Sequence, residues 1–163
     1  MTLQSHPQIL GSRSFHWPTE ADAAACAARL AASPSLRNAF IELHGPLGAG
    51  KTTFVRHLLR ALGVTGRIKS PSYAVLEPHE ADGLAISHFD FYRFEDPREW
   101  EDAGFRDVFA APGLKIAEWP DKAAGVLPPA DLVLTLHIRD DDSRELRARA
   151  HSARGLQLLE VLA

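Results

Sequence analysis

The chain has 163 residues, 18 Lys and Arg against 21 Asp and Glu, 45% apolar residues and a single cysteine. That length suits one domain with a core large enough to need no staples. One Cys excludes an intramolecular disulfide and a multi-Cys zinc site, and predicts a reducing, cytoplasmic setting. The formal charge of −3 speaks against a dedicated nucleic-acid binder, which carries a strongly basic domain.

The amino-terminal residues Met1–Pro7 lack the basic start and apolar core of a signal peptide, and no stretch is apolar enough to span a membrane. Residues 1–163 are expected to form a single domain, of which 1–11 are flexible. Ser12–Trp17 reads as a first strand. Thr19 and Asp22 stand like a variant capping box before the Ala-rich run Ala21–Ala32, and Ser33-Pro34-Ser35 ends that helix. Asn38–His44 is a buried-strand candidate leading into a glycine loop. After it, Phe54, Val55, Leu58, Leu59 and Leu62 recur at helical spacing until Gly63.

Further strands are expected at Tyr73–Glu77, Leu84–Phe89, Leu114–Ala117, Leu132–Ile138 and Arg144–Ala150. Asp96-Pro97 opens another helix, and Gly155–Leu162 forms a terminal helix or strand. The alternation predicts a single-domain α/β fold with a mainly parallel central sheet flanked by helices. The glycine loop Gly45-Pro46-Leu47-Gly48-Ala49-Gly50-Lys51-Thr52 that follows Asn38–His44 makes the expected class a P-loop NTPase.

The loop Gly45-Pro46-Leu47-Gly48-Ala49-Gly50-Lys51-Thr52 matches G-x-x-x-x-G-K-[ST]. Glycines let successive amides turn inward around phosphate oxygens. Lys51 brings a positive charge to the β- and γ-phosphates, and the Thr52 hydroxyl suits Mg²⁺. An apolar strand runs into the loop and an amphipathic helix leaves it, the setting that separates this motif from a mere Gly-rich turn. Gly45, Leu47, Gly48, Ala49, Gly50, Lys51, Thr52 and Thr53 are therefore the expected nucleotide-binding residues.

Such a site needs a second anchor for the metal, an acidic residue ending a neighbouring strand. Asp90 follows Leu84–Phe89 and Glu118 follows Leu114–Ala117 in that manner, and either position alone also suits an ordinary turn. Ser70-Pro71-Ser72-Tyr73 reads, from the residues alone, as a Pro turn entering a strand. Asp140-Asp141-Asp142 reads as a solvated turn. His44 and His88 read as structural groups beside strands, and Trp100 as a packed helix residue.

Several motifs in order resemble one family. They are the loop Gly45–Thr53, Lys69-Ser70-Pro71-Ser72-Tyr73, His88-Phe89-Asp90-Phe91-Tyr92-Arg93, Asp96-Pro97 and Glu118-Trp119-Pro120. Together they are similar to TsaE, the small bacterial ATPase of tRNA threonylcarbamoyladenosine biosynthesis, over about residues 18–138. The resemblance implies ATP and Mg²⁺ as cofactors, with Lys51, Asp90 and Glu118 as catalytic residues and Thr52, Asp90 and Glu118 at the metal. It implies a switch-like loop at Ser70 and Ser72, a functional edge at Trp119, and TsaD and TsaB as protein partners, with tRNA reached indirectly through their complex. Pro46 stands where the family usually has Asp, and Ser72 where Thr is commoner. No role carries over beyond Ile138. The rival readings are a nucleotide-dependent docking module without useful hydrolysis and a small-molecule P-loop kinase. The first would retain full tRNA modification in Glu118→Gln; the second needs an Arg-bearing lid that the sequence does not display.

Overall fold

The computed structural model describes residues 8–68, 71, 75–96, 98–102 and 104–162. Among these residues the strands and α-helices follow one another as β1 (Gly11–Trp17), α1 (Glu20–Ala31), β2 (Phe40–His44), α2 (Lys51–Ala61), β3 (Leu76–Ala81), β4 (Leu84–Asp90), α3 (Arg98–Asp102), α4 (Phe105–Ala110), β5 (Leu114–Glu118), β6 (Leu132–Ile138), β7 (Arg144–Ala150) and α5 (Ala153–Val161). The strands form one mixed sheet in the order β1-β7-β6-β2-β5-β4-β3. Its central strands β6, β2, β5 and β4 are parallel, whereas β7, β1 and β3 join antiparallel at the two sides.

Local signals explain most boundaries. The backbone N–H of Thr19 donates to the Asp22 carboxylate at 2.9 Å, capping α1, and Ser33 caps the short 3₁₀ turn Pro34–Leu36 that follows. Gly63, at φ +102°, stops α2. Asp96 accepts the Arg98 amide at the start of α3; Pro97 itself lies outside the described residues. Leu10, just ahead of β1, donates its amide to the Ala150 carbonyl at 2.8 Å.

Of the strand expected at Tyr73–Glu77, Tyr73 and Ala74 lie outside the described residues. The described strand runs over Leu76–Ala81, three residues beyond Pro78, and pairs with β4 as a hairpin. The decisive signal is Asp82-Gly83, both at positive φ, the two-residue turn that matches strand twist. Pro78 is tolerated because β3 is an edge strand.

The sheet buries both faces over its centre. On one side Ala27, Leu30, Phe54, Leu58 and Leu158 from α1, α2 and α5 pack against Ile41, Leu43, Leu134 and Leu146. On the other, Phe40, Phe89 and Phe91 pack with Phe94, Trp100 and Phe105. Each fully buried Leu or Phe contributes about 1.5–3 kcal/mol, so the two layers hold the strand ends firmly in place.

Two constraints in the first layer are directly checkable. A Cβ on Gly155 would stand 1.9 Å from the Asp131 carbonyl oxygen, so α5 can lie this close to the sheet only with glycine there. Gly155→Ala should lower stability by about 1–3 kcal/mol, read from the urea unfolding midpoint; an unchanged midpoint would refute this packing. Burial pushes the Cys26 thiol up to about 12. It should therefore resist iodoacetamide at neutral pH until the chain is unfolded, checked by mass spectrometry.

Candidate functional site

The parallel register brings three strand ends to one edge of the sheet. β2 runs out into the glycine loop, and Asp90 and Glu118 are paired neighbours at the ends of β4 and β5. Leu43 of β2 pairs with Glu118, one residue before His44 leads into the loop. Crevices outside the carboxyl ends of parallel strands are where such sheets form sites.

The loop turns because its glycines permit it. Gly45 adopts φ +142°, and a Cβ there would stand 2.7 Å from the Leu136 carbonyl oxygen of the adjacent strand. Gly50, at φ +106°, precedes α2, whose first helical bond runs from the Phe54 amide to the Gly50 carbonyl. The amides of Gly50, Lys51, Thr52 and Thr53 thus form the orphan-donor end of a helix held down by Phe54, Val55, Leu58 and Leu59. Such an end attracts anions. Pro46, the residue that departs from the resembled pattern, is exposed, and its carbonyl accepts the Ala49 amide at 3.1 Å.

Lys51 is only 5% exposed. Its Nζ donates to the Gly45 carbonyl and lies 3.5 Å from the centroid of the Trp119 ring. A cation over an indole face is an attractive arrangement, stronger when desolvated. Trp119 reaches it from a left-handed backbone position, φ +55°, directly after β5, and its ring packs 5.0 Å from that of Tyr92. Burial pushes the Lys51 ammonium below the ordinary lysine value, opposed by the charges of Glu118, Asp90 and Asp121.

Glu118 is 2% exposed, and both of its oxygens are engaged. Oε1 accepts from the Thr52 hydroxyl at 2.9 Å, and Oε2 lies 2.6 Å from His88 Nε2. An ionised carboxylate only accepts, so the imidazole proton belongs on Nε2. Asp90 accepts the Tyr92 amide at 3.0 Å. Burial pushes the Asp90 carboxyl above the ordinary carboxylate range, with the Tyr92 amide opposing and the Glu118 charge adding.

A cavity of about 300 Å³ gathers Lys51, Thr52, Asp90, Tyr92, Glu118 and Trp119. A neighbouring one of about 280 Å³ is lined by Trp17, Pro18, Thr19, Gly48, Thr53 and Arg144. A roomier hollow of about 580 Å³, between Trp100, Arg106, Phe109 and Leu127, contains none of these groups. The site follows the chemistry, not the volume.

The structure thus brings together the glycine loop, Lys51, Thr52, Asp90, Glu118 and Trp119. Ser70 and Ser72 lie outside the described residues. Two site residues escaped the sequence reading. His88, read as a structural group, is the buried partner of Glu118; its position two before Asp90 on the same strand was the available signal. Arg144 comes from the first residue of β7 and contacts the loop backbone, which no local pattern announces.

These features define a strand–loop–helix protein with a phosphate-type cradle flanked by two strand-end carboxylates. The family model described as "Threonylcarbamoyl adenosine biosynthesis protein TsaE" matches residues 17–148. A protein from Haemophilus influenzae named tRNA threonylcarbamoyladenosine biosynthesis protein TsaE is 38% identical over 74% of this chain and 76% of its own length. A protein of the same name from Bacillus subtilis is 33% identical over 83% of this chain and 84% of its own length. The crystal structure of Bacillus subtilis YdiB superposes with a TM-score of 0.78 at 27% identity, covering 97% of both chains. The chain belongs to the TsaE family of tRNA threonylcarbamoyladenosine biosynthesis.

The His88–Glu118 contact yields a direct test. His88→Ala leaves a buried carboxylate oxygen without its partner and should cost about 1–3 kcal/mol of stability. In a double-mutant cycle with Glu118→Gln, urea unfolding should show a coupling of at least about 0.5 kcal/mol. Strict additivity would mean the two side chains do not depend on each other.

Proposed function

We propose that the chain binds ATP with Mg²⁺ and hydrolyses it in support of threonylcarbamoyl modification of tRNA, acting with TsaD and TsaB. The observation that carries this reading is the convergence of Lys51, Thr52, Asp90 and Glu118 on the helix end and one cavity. Phosphoryl transfer demands little covalent chemistry from a protein; it demands positioning and charge stabilisation. The amides of the loop and α2 hold the phosphate oxygens, and Lys51 balances the charge of the β- and γ-phosphates.

The donor set suits Mg²⁺, which takes hard oxygen ligands. Thr52 and Asp90 supply a hydroxyl and a carboxylate, and Glu118 lies beside Thr52. Among the described residues no three His, Cys, Asp or Glu side chains form a cage. None is needed, because Mg²⁺ in nucleotide sites is held by one or two carboxylates together with substrate phosphates. The bound ion supplies charge neutralisation at the phosphates. Glu118, fixed by His88, orients or deprotonates the attacking water. The second cavity, at Trp17–Thr19, adjoins Gly48 and Thr53 and is the place for the adenine base.

Tyr92 is 45% exposed and packs on Trp119, which covers Lys51. This aromatic edge is where partner proteins can reach the nucleotide and govern its turnover. Contact with tRNA through those partners accords with the chain's net charge of −3. Among the described residues no helix is long and apolar enough to cross a membrane.

Lys51→Ala should weaken ATP binding by at least tenfold in calorimetric titration; unchanged affinity would contradict the phosphate assignment. Glu118→Gln should retain ATP binding and lose tRNA modification in a reconstituted mixture. Full modification by Glu118→Gln would favour a docking module that needs bound nucleotide but no hydrolysis.

A further inference from the structure

We propose that Arg144 is a positioning residue of the nucleotide site, a fork that holds the glycine loop in its phosphate-accepting shape. The inference rests on the nucleotide reading above. It starts from the sheet register. β7 runs antiparallel to β6, so its first residue stands at the edge where the parallel strands end. There Arg144 pairs with Trp17 of β1 on one side and Ile138 of β6 on the other. The turn before it is braced. The Ser143 amide donates to Asp141 at 2.9 Å, the buried Ser143 hydroxyl meets His16 Nε2 at 2.9 Å, and Asp142 takes a left-handed φ of +65°.

From this fixed base the guanidinium reaches across to the loop. Nε donates to the Ala49 carbonyl at 3.0 Å and Nη2 to the Gly48 carbonyl at 3.3 Å. Nη1 donates to the carbonyls of Asp142 and Ser143 on its own turn. Among the described residues it makes no ion pair with a carboxylate. An arginine spent entirely on carbonyls is an organiser of backbone, not a member of a surface ion pair.

Peptide geometry says what this organisation achieves. In a trans peptide the C=O and the following N–H point in opposite directions. Holding the Ala49 carbonyl toward β7 aims the Gly50 amide the other way, into the donor end of α2. Holding the Gly48 carbonyl likewise fixes the peptide whose N–H, that of Ala49, closes the turn onto Pro46 at 3.1 Å. Gly48 and Gly50 both occupy positive φ, in a loop segment where a Cβ would meet nothing within 4 Å. Side-chain packing therefore does not hold these glycines, and the arginine fork does. An ammonium at this place keeps the charge but cannot span two carbonyls in a fixed plane.

The test is ADP binding by the full chain, measured for wild type, Arg144→Met and Arg144→Lys, with GDP as a second ligand and melting temperature as a fold check. Arg144→Met should weaken ADP about tenfold, and Arg144→Lys by threefold or more. Arg144 also lines the cavity proposed for the base, but its hydrogen bonds go to backbone carbonyls, so the effect falls on the phosphate cradle and the ADP-to-GDP affinity ratio should stay at the wild-type value. Wild-type affinity in Arg144→Met overturns the inference. Full affinity in Arg144→Lys also overturns it, leaving only a charge effect. A changed ADP-to-GDP ratio overturns it in favour of a base contact. Wild-type protein that binds neither nucleotide defeats the nucleotide reading itself, and this inference with it. Should Arg144→Met fail to fold, Arg144→Lys alone still decides between fork and charge.

Discussion

Glu118 is a carboxylate almost wholly withdrawn from water, and such a group is tolerated only where its oxygens are satisfied. Thr52 satisfies one oxygen and His88 the other. The first contact ties β5 to the start of α2, and the second ties β5 to β4. Three elements separated in the sequence are thereby locked around one carboxylate. Lys51 is similarly placed, a buried cation that leans on the Gly45 carbonyl and the Trp119 ring. A buried lysine and a buried glutamate thus line one cavity, each with its own polar support. That arrangement would suit the ligand proposed above, a phosphate group carried with a divalent cation.

Much of this was legible in the residues. The loop spacing located the cradle, the apolar runs located β2, β4 and β5, and an acidic residue at the end of two strands located Asp90 and Glu118. These features are legible because each depends on local chemistry: glycine at positive φ, a helix start, a strand end. The parallel centre of the sheet was legible for the same reason, since strands alternate there with helices.

What was not legible depends on register and on contacts between distant segments. His88 could be placed on a strand but not against Glu118, because that meeting needs β4 and β5 to be paired in register. Arg144 lies 95 residues from Ala49 in the chain, and only the antiparallel return of β7 brings them together. The antiparallel pairs β3–β4 and β6–β7 follow from short turns, Asp82-Gly83 being the first, whereas β1 meets β7 from the far end of the chain. Glycine at 155 reads as a helix residue of poor propensity until the Asp131 carbonyl is seen beside it.

Membership of the TsaE family and the shape of the site agree on one account. On the function proposed above, a small acidic domain devotes its sheet edge to one nucleotide and leaves an aromatic face, Tyr92 and Trp119, beside it. The central claim is that Thr52 and the two carboxylates bind the nucleotide as its Mg²⁺ complex. Calorimetric titration of ATP with and without Mg²⁺, on wild type and Thr52→Val, tests it most directly. The account predicts that Mg²⁺ strengthens wild-type binding by at least tenfold and that Thr52→Val abolishes most of this gain. Equal affinity with and without the ion, or an undiminished gain in Thr52→Val, would contradict it.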